Sequence, residues 1–183
     1  MTHEAQIFTR RQWMGLAAAG AAAAATGGWW AARGGSLLQP AQAAAAGGLL
    51  PEPLHTLDGR TLTEADLQGK PVLLNFWAPW CGPCVKEMPE LDAFSRSPGA
   101  RGTVVIGLAI DEAPAVQQFI KQHPVGFPIV VLGYGGLAWV RRISGEANSA
   151  LPFSAVYDHA HALVQRKFGP TSSAELSGWA RRL

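Results

Sequence analysis

The chain has 183 residues, 48% of them hydrophobic, with 21 glycines, which suits one globular domain plus an attachment. Its formal charge of +2 comes from 15 basic and 13 acidic residues. Three of the basic residues (Arg10, Arg11, Arg33) and one acidic residue (Glu4) lie in 1–43, so the remainder carries 12 of each, and nothing in it points to a nucleic-acid surface.

From the N-terminus, Arg10-Arg11 precedes an uncharged run of Ala, Gly, Leu and Met from Met14 to Ala25. A basic segment followed by an apolar one is the order of an export signal. Thr9-Arg10-Arg11-Gln12-Trp13-Met14 resembles the twin-arginine export motif, with Trp13 where Phe is usual. Ala41-Gln42-Ala43 offers a small-residue cleavage site, with alternatives over 44–48. The competing reading is an uncleaved anchor over 14–32, short for a span and weakened by Gly15, Gly20, Gly27 and Gly28. Either way the rest of the chain reaches the periplasm or the outer face of the cytoplasmic membrane. The expected organisation is an export signal over 1–43, a linker over 44–53 and a folded domain over 54–183.

Within that domain, Asp58-Gly59 between 54–57 and 60–62 predicts a hairpin turn. Thr63 with Asp66 opens a short helical turn that Gly69 ends. The apolar run Val72–Trp77 predicts a buried strand, followed at once by Trp80-Cys81-Gly82-Pro83-Cys84. Val85, Met88, Leu91 and Phe94 have helical spacing, so a helix is expected over 82–97, kinked at Pro89. The β-branched stretch 103–110 predicts a buried parallel strand, and Ala113–Gln122 a helix with Val116, Phe119 and Ile120 inward. A short strand over 127–132 and a helix over 137–143 come next. Phe153–Tyr157 and Leu163–Phe168 pair as antiparallel strands, and Ser172 with Glu175 forms the capping box of a closing helix. This β-α-β order, then a hairpin and a helix, predicts an α/β fold: a mixed central sheet with helices on both faces and an N-terminal hairpin extension.

The chemistry sits on the only two cysteines, Cys81 and Cys84. A thiol where a strand turns into a helix meets the positive end of the helix dipole and unpaired N–H groups, which favour the reactive thiolate. The second cysteine, one turn on, is placed to attack a mixed disulfide formed on the first. Zinc is the competing reading, but His159-x-His161 lacks zinc-finger spacing and the thiols are too few for a four-thiolate site. A purely structural crosslink is disfavoured too, because so short a loop gains little from closure.

The segment Trp77-Ala78-Pro79-Trp80-Cys81-Gly82-Pro83-Cys84-Val85-Lys86-Glu87-Met88-Pro89 resembles the signature of the TlpA/ResA-type thioredoxin-like proteins, exported thiol:disulfide oxidoreductases that include cytochrome c maturation reductants. All fixed positions of W-x-x-W-C-x-x-C-x-x-E-x-P are filled, and the lead-in from Leu57 to Trp77 is also similar. The resemblance covers roughly residues 54–183 and implies a thioredoxin-like fold with a Cys81–Cys84 disulfide. It implies that Pro152 is cis and lies against that disulfide, turning the Leu151 backbone toward a substrate chain. Phe153 stands where thioredoxin has a small Thr, which bears on the shape of the substrate groove. The matched motif assigns Glu87 a role near the thiols, moving a proton to or from Cys84. Thioredoxin instead has an Asp on the preceding strand, where this chain has the non-titrating Asn75. Trp80 reads as an apolar docking surface, Trp77 as core and Lys86 as a surface charge; Asp111 and the histidines read as solvated loop positions.

The expected function is disulfide reduction in the cell envelope, with Cys81 as nucleophile and Cys84 resolving. Gly82-Pro83 between the cysteines matches thioredoxin, whose pair is reducing at about −270 mV. The expected partners are a disulfide-bearing protein, with apocytochrome c the type the resemblance implies, and a membrane electron donor; no cofactor or resident metal is expected. Three alternatives stay open. One is a disulfide oxidant or isomerase. Another is a thiol peroxidase, although Ala78 stands where that chemistry wants Thr. The last is a thioredoxin-fold module presenting its dithiol to Cu(I), which soft thiolates suit.

Overall fold

Residues 48–183 are described by a computed structural model; the expected export segment 1–43 and the first linker residues, 44–47, lie outside them. The two short strands β1 (Leu54–His55) and β2 (Thr61–Leu62) pair antiparallel around the Asp58-Gly59 turn, where Gly59 takes φ 87°. Helix α1 (Glu64–Leu67) follows, with the Asp66 carboxylate accepting from the Thr63 N–H at 2.8 Å and its hydroxyl at 2.6 Å. Glu64 reaches back to accept from the N–H groups of Leu49 and Leu50, both at 3.0 Å, and seats these two buried leucines on the domain.

The central strand β3 (Val72–Trp77) is buried along its whole length. It leads into helix α2 (Gly82–Ser95), and then through a short 3-10 turn to β4 (Val104–Ala109). Helix α3 (Ala113–Gln122), strand β5 (Ile129–Val131) and helix α4 (Gly136–Ser144) come next, then β6 (Phe153–Tyr157), β7 (Leu163–Phe168) and helix α5 (Ser173–Ala180). The sheet order is β5-β4-β3-β6-β7, with β3, β4 and β5 parallel and β6 and β7 antiparallel. This is the mixed sheet of the thioredoxin-like fold that the element order predicted.

Strand periodicity divides the core. Leu73, Trp77, Val105 and Val156 face α2, α3 and α5. Leu74, Phe76, Ile106, Leu108 and Phe153 face α4 and the N-terminal leucines. Helices therefore cover both faces. Because β3, β4 and β5 run parallel, their C-terminal ends share one edge of the sheet with the start of β6. That edge collects the loops bearing Cys81, Asp111 and Pro152.

Several boundaries differ from the sequence expectation for local reasons. Helix α2 runs through Pro89 but stops at Ser95, because Pro98 holds Ser97 extended, at φ −84° and ψ 148°. Thr103 is held in the turn by its N–H (2.8 Å) and hydroxyl (2.5 Å) on the Ala100 carbonyl, so β4 starts one residue late. Strand β5 is shorter than 127–132, since Pro128 has no N–H to pair. Helix α4 starts one residue early and ends where Gly145 turns left-handed at φ 75°.

Gly136 opens α4 against the end of β5, where an added Cβ would lie 2.5 Å from Ile110 Cδ1 and 2.7 Å from Leu132 Cβ. Leu132 Cβ moves only with its backbone. Gly136→Ala is therefore expected to destabilise the domain by about 1–3 kcal/mol, the usual cost of overpacking, despite alanine's higher helix propensity. A urea denaturation midpoint checks this.

Candidate active site

Cys81 is the N-cap residue of α2, held extended with φ −87°. Its N–H donates to the Ala78 carbonyl at 3.1 Å, and its Sγ accepts from the Cys84 N–H at 3.3 Å. An otherwise orphaned donor of the first helical turn thus points at the first sulfur. Pro83 sits in that turn, where a missing N–H costs nothing, and the turn has no acidic residue to oppose an anion. The two cysteines form a disulfide with Sγ–Sγ 2.01 Å and Cα–Cα 5.2 Å. Cys81 is 6% exposed and Cys84 0%, so an incoming group reaches only the first sulfur. Trp80 beside it is 61% exposed, whereas Trp77 is fully buried with its ring centroid 5.1 Å from that of Phe119. Lys86 is exposed on the outer side of the helix.

The Leu151–Pro152 peptide bond is cis. The Pro152 carbonyl accepts from the Gly169 N–H at 2.9 Å, and the half-buried Leu151 packs against both halves of the core. Among the described residues the Leu151 N–H and C=O have no hydrogen-bond partner. Phe153 does not shape a groove beside the cysteines. It is fully buried on the opposite face of the sheet, against Phe76 and Phe168 at centroid distances of 5.7 Å and 4.7 Å.

Glu87 lies on the turn after Cys84 and is 2% exposed. Its carboxyl group accepts from Asn75 Nδ2 at 2.8 Å and from the Thr171 N–H at 2.6 Å. Burial pushes the carboxyl above its ordinary range, against the pull of these hydrogen bonds and of the Lys167 charge. Asn75 Nδ2 also meets Ser154 Oγ at 3.1 Å, while Asn75 Oδ1 has no partner among the described residues. Rotating the amide would exchange its donor and acceptor ends. Asn75 can thus donate to a carboxylate or accept from a protonated carboxyl, a service a second carboxylate could not give.

Ser154, Thr171 and Lys167 were not singled out by the sequence. The register offered the signal, since Asn75 pairs with Ser154 and Ser154 with Lys167 across the sheet, but only once strand pairing is known. Two readings are corrected. Asp111 is buried, not solvated, because it lies at the sheet edge and accepts from Tyr134 Oη at 3.2 Å and the Glu112 N–H at 2.7 Å. His161 is a half-buried bridge, with Nδ1 3.0 Å from Glu64 Oε1 and Nε2 3.0 Å from the Leu67 carbonyl. Both contacts span more than 90 residues, beyond the reach of local spacing.

A Cys-x-x-Cys disulfide at the start of a helix leaving the central strand of this mixed sheet, with a cis proline at the same end of the sheet, defines the class: a thioredoxin-fold thiol–disulfide oxidoreductase. The chain belongs to the Redoxin family, which it matches over residues 36–181. It is 31% identical to the thiol-disulfide oxidoreductase ResA of Bacillus cereus over 128 residues, 69% of this chain and 71% of that one. Among solved structures, it is similar to a thiol:disulfide interchange protein of the thioredoxin family from Chlorobium tepidum, at TM-score 0.63 and 26% identity over 72% of this chain and 91% of that one. A secreted disulfide oxidoreductase of Mycobacterium tuberculosis matches at TM-score 0.57 and 28% identity, over 72% and 96% of the two chains.

A carboxyl whose titration is raised by folding contributes stability that is fully present below its ordinary range and lost as pH rises through the raised value. Glu87→Gln removes that loss. The variant's unfolding free energy from urea titration, relative to wild type, is expected to climb as pH rises from acid to neutral, by about 1.4 kcal/mol for each unit of upward displacement. A constant difference across pH would mean that Glu87 titrates as it does in the unfolded chain.

Proposed function

We propose that the chain is exported and reduces protein disulfides in the cell envelope, with Cys81 as the attacking thiolate. The carrying observation is the Cys84 N–H aimed at Cys81 Sγ at the start of α2, on the less enclosed of the two sulfurs. In the reduced enzyme that arrangement favours a thiolate on Cys81. The thiolate attacks one sulfur of the substrate disulfide; the substrate S–S bond breaks, a mixed disulfide forms, and the other substrate sulfur leaves as a thiolate that takes up a proton. Cys84 then loses its proton to the Glu87 carboxylate and attacks Cys81 Sγ. The Cys81–Cys84 bond forms, the second substrate sulfur departs as a thiolate, and it takes up the proton that Glu87 releases. Two electrons pass from enzyme to substrate, and a membrane electron donor returns them.

Trp80 supplies an apolar docking surface, supported by its exposure beside Cys81. The Leu151 N–H and C=O pair with the substrate backbone, supported by their lack of any other partner among the described residues. The cis Pro152 sets that strand start beside the disulfide. Apocytochrome c is the substrate type that fits such a reductant. Residues 1–43 serve as the export signal and 44–53 as a linker to the domain. Among the described residues no helix is long and apolar enough to cross a membrane.

Cys84→Ala in the full chain is expected to accumulate a mixed disulfide with its substrate, identifiable by mass spectrometry. Cys81→Ser should abolish insulin reduction and trap nothing; equal trapping through either cysteine would overturn the assignment. Replacing both Arg10 and Arg11 with Lys is expected to hold the chain in the cytoplasm, read by cell fractionation. Unchanged export would exclude the twin-arginine route.

A further inference from the structure

One transverse row of the sheet is polar. Asn75 on β3, Ser154 on β6 and Lys167 on β7 are successive cross-strand partners, so their side chains share the face covered by α2 and α5. Glu87 sits over the inner end of this row, bonded to Asn75. Glu175 on α5 sits over the outer end, as the ion-pair partner of Lys167. The connection from β7 to α5 passes between them, and there Thr171 gives its N–H to Glu87. The Thr171 hydroxyl is buried in the same place. The row therefore runs from a buried carboxyl beside the cysteines to a half-exposed ion pair at the edge strand.

Glu175 divides its carboxylate. One oxygen accepts from the Ser172 N–H at 3.0 Å and the Ser172 hydroxyl at 2.9 Å, capping α5, while the other holds Lys167. The Lys167 bond, foremost, keeps this carboxyl down at about 2, so Glu175 stays anionic wherever the enzyme works. The charged and titratable groups around Glu87 are Cys84 and, one turn on, Glu90 on its own helix, Lys167 on β7 and, through Lys167, Glu175 on α5; β3 and β6 contribute the neutral Asn75 and Ser154.

We infer that Lys167 is a positioning residue: its charge, shared between Glu87 and Glu175, sets how readily Glu87 takes the proton of Cys84. This rests on the acid/base role proposed for Glu87. Freed from Glu175, the ammonium supports the Glu87 carboxylate more strongly; drawn outward by Glu175, it supports it less. Lys167 and Glu175 then have opposite signs of effect on one buried group, which a role in packing alone would not produce.

The test is the pH dependence of insulin reduction by the full chain, with the Glu87 carboxyl followed directly by its 13C shift. Lys167→Met is expected to move the Glu87 titration to higher pH and Glu175→Gln to lower pH, each by a few tenths to about one pH unit for partly screened charges. Lys167→Arg should keep the wild-type profile. Glutamine still caps α5 at that position, so Glu175→Gln carries the sign even if Lys167→Met fails to fold. Shifts in the same direction, no shift, or shifts in the rate profile that persist on a Glu87→Gln background would overturn the inference. If Glu87→Gln alone leaves the pH–rate profile unchanged, the acid/base role of Glu87 itself fails, and this inference falls with it. If that variant changes the profile while the Lys167 and Glu175 variants do not diverge, only the present inference is lost.

Discussion

A carboxyl group taken out of water must find hydrogen-bond donors inside the protein, and Glu87 draws its donors from two other parts of the chain. Asn75 comes from the central strand and the Thr171 N–H from the approach to the last helix. The same helix α2 also carries Glu90, which accepts from the Ser173 N–H at 2.6 Å and so holds the start of α5 from the surface side. Two carboxylates one turn apart thereby bind the cysteine-bearing helix to the C-terminal helix. Losing either donor to Glu87 would leave a buried acid short of partners, so the site and the fold share one constraint.

That constraint sets two electrostatic influences against each other along a single helix. The N-terminal N–H groups of α2 favour negative charge at Cys81, while a carboxylate at Glu87 opposes it one turn beyond Cys84. Their separation along the axis means that they act unequally on the two sulfurs. In the proposed cycle this division suits the chemistry, with an attacking thiolate at the exposed sulfur and a proton retained on the buried one until resolution. Asn75 adds a partner that carries no charge of its own and can serve either protonation state of Glu87.

On the other face of the sheet, Glu64 and His161 do a comparable job without redox chemistry. Glu64 accepts from Leu49, Leu50 and His161 together, joining the segment ahead of the hairpin to the β6–β7 turn. Nδ1 of His161 faces the Glu64 carboxylate and Nε2 the Leu67 carbonyl, so one ring ties helix α1 to the β6–β7 turn at two points. His161 takes φ 59° to reach them, a backbone strain accepted at a contact that closes the second half of the core.

Element order, the strand at Val72–Trp77, the helical spacing of Met88, Leu91 and Phe94, and the Cys81/Cys84 pair were all legible in the sequence. Each is a periodicity or a short-range pattern, carried by residues within a few positions of one another. Even the candidacy of Glu87 was short-range, since it rests on the resemblance of the 77–89 segment to a known motif. Its environment was not. Ser154 and Thr171 reach the Asn75–Glu87 pair across 79 and 84 residues, and Lys167 joins them only through the register of β6 with β7. The burial of Asp111 and the bridge made by His161 likewise depend on which loops meet. Sequence by itself determined the elements and the reactive pair, because propensity, periodicity and the chemistry of adjacent thiols act over one or two turns of chain. Tertiary structure alone decided what surrounds that pair, because burial, strand register and hydrogen bonding between distant segments exist only once the chain has closed on itself.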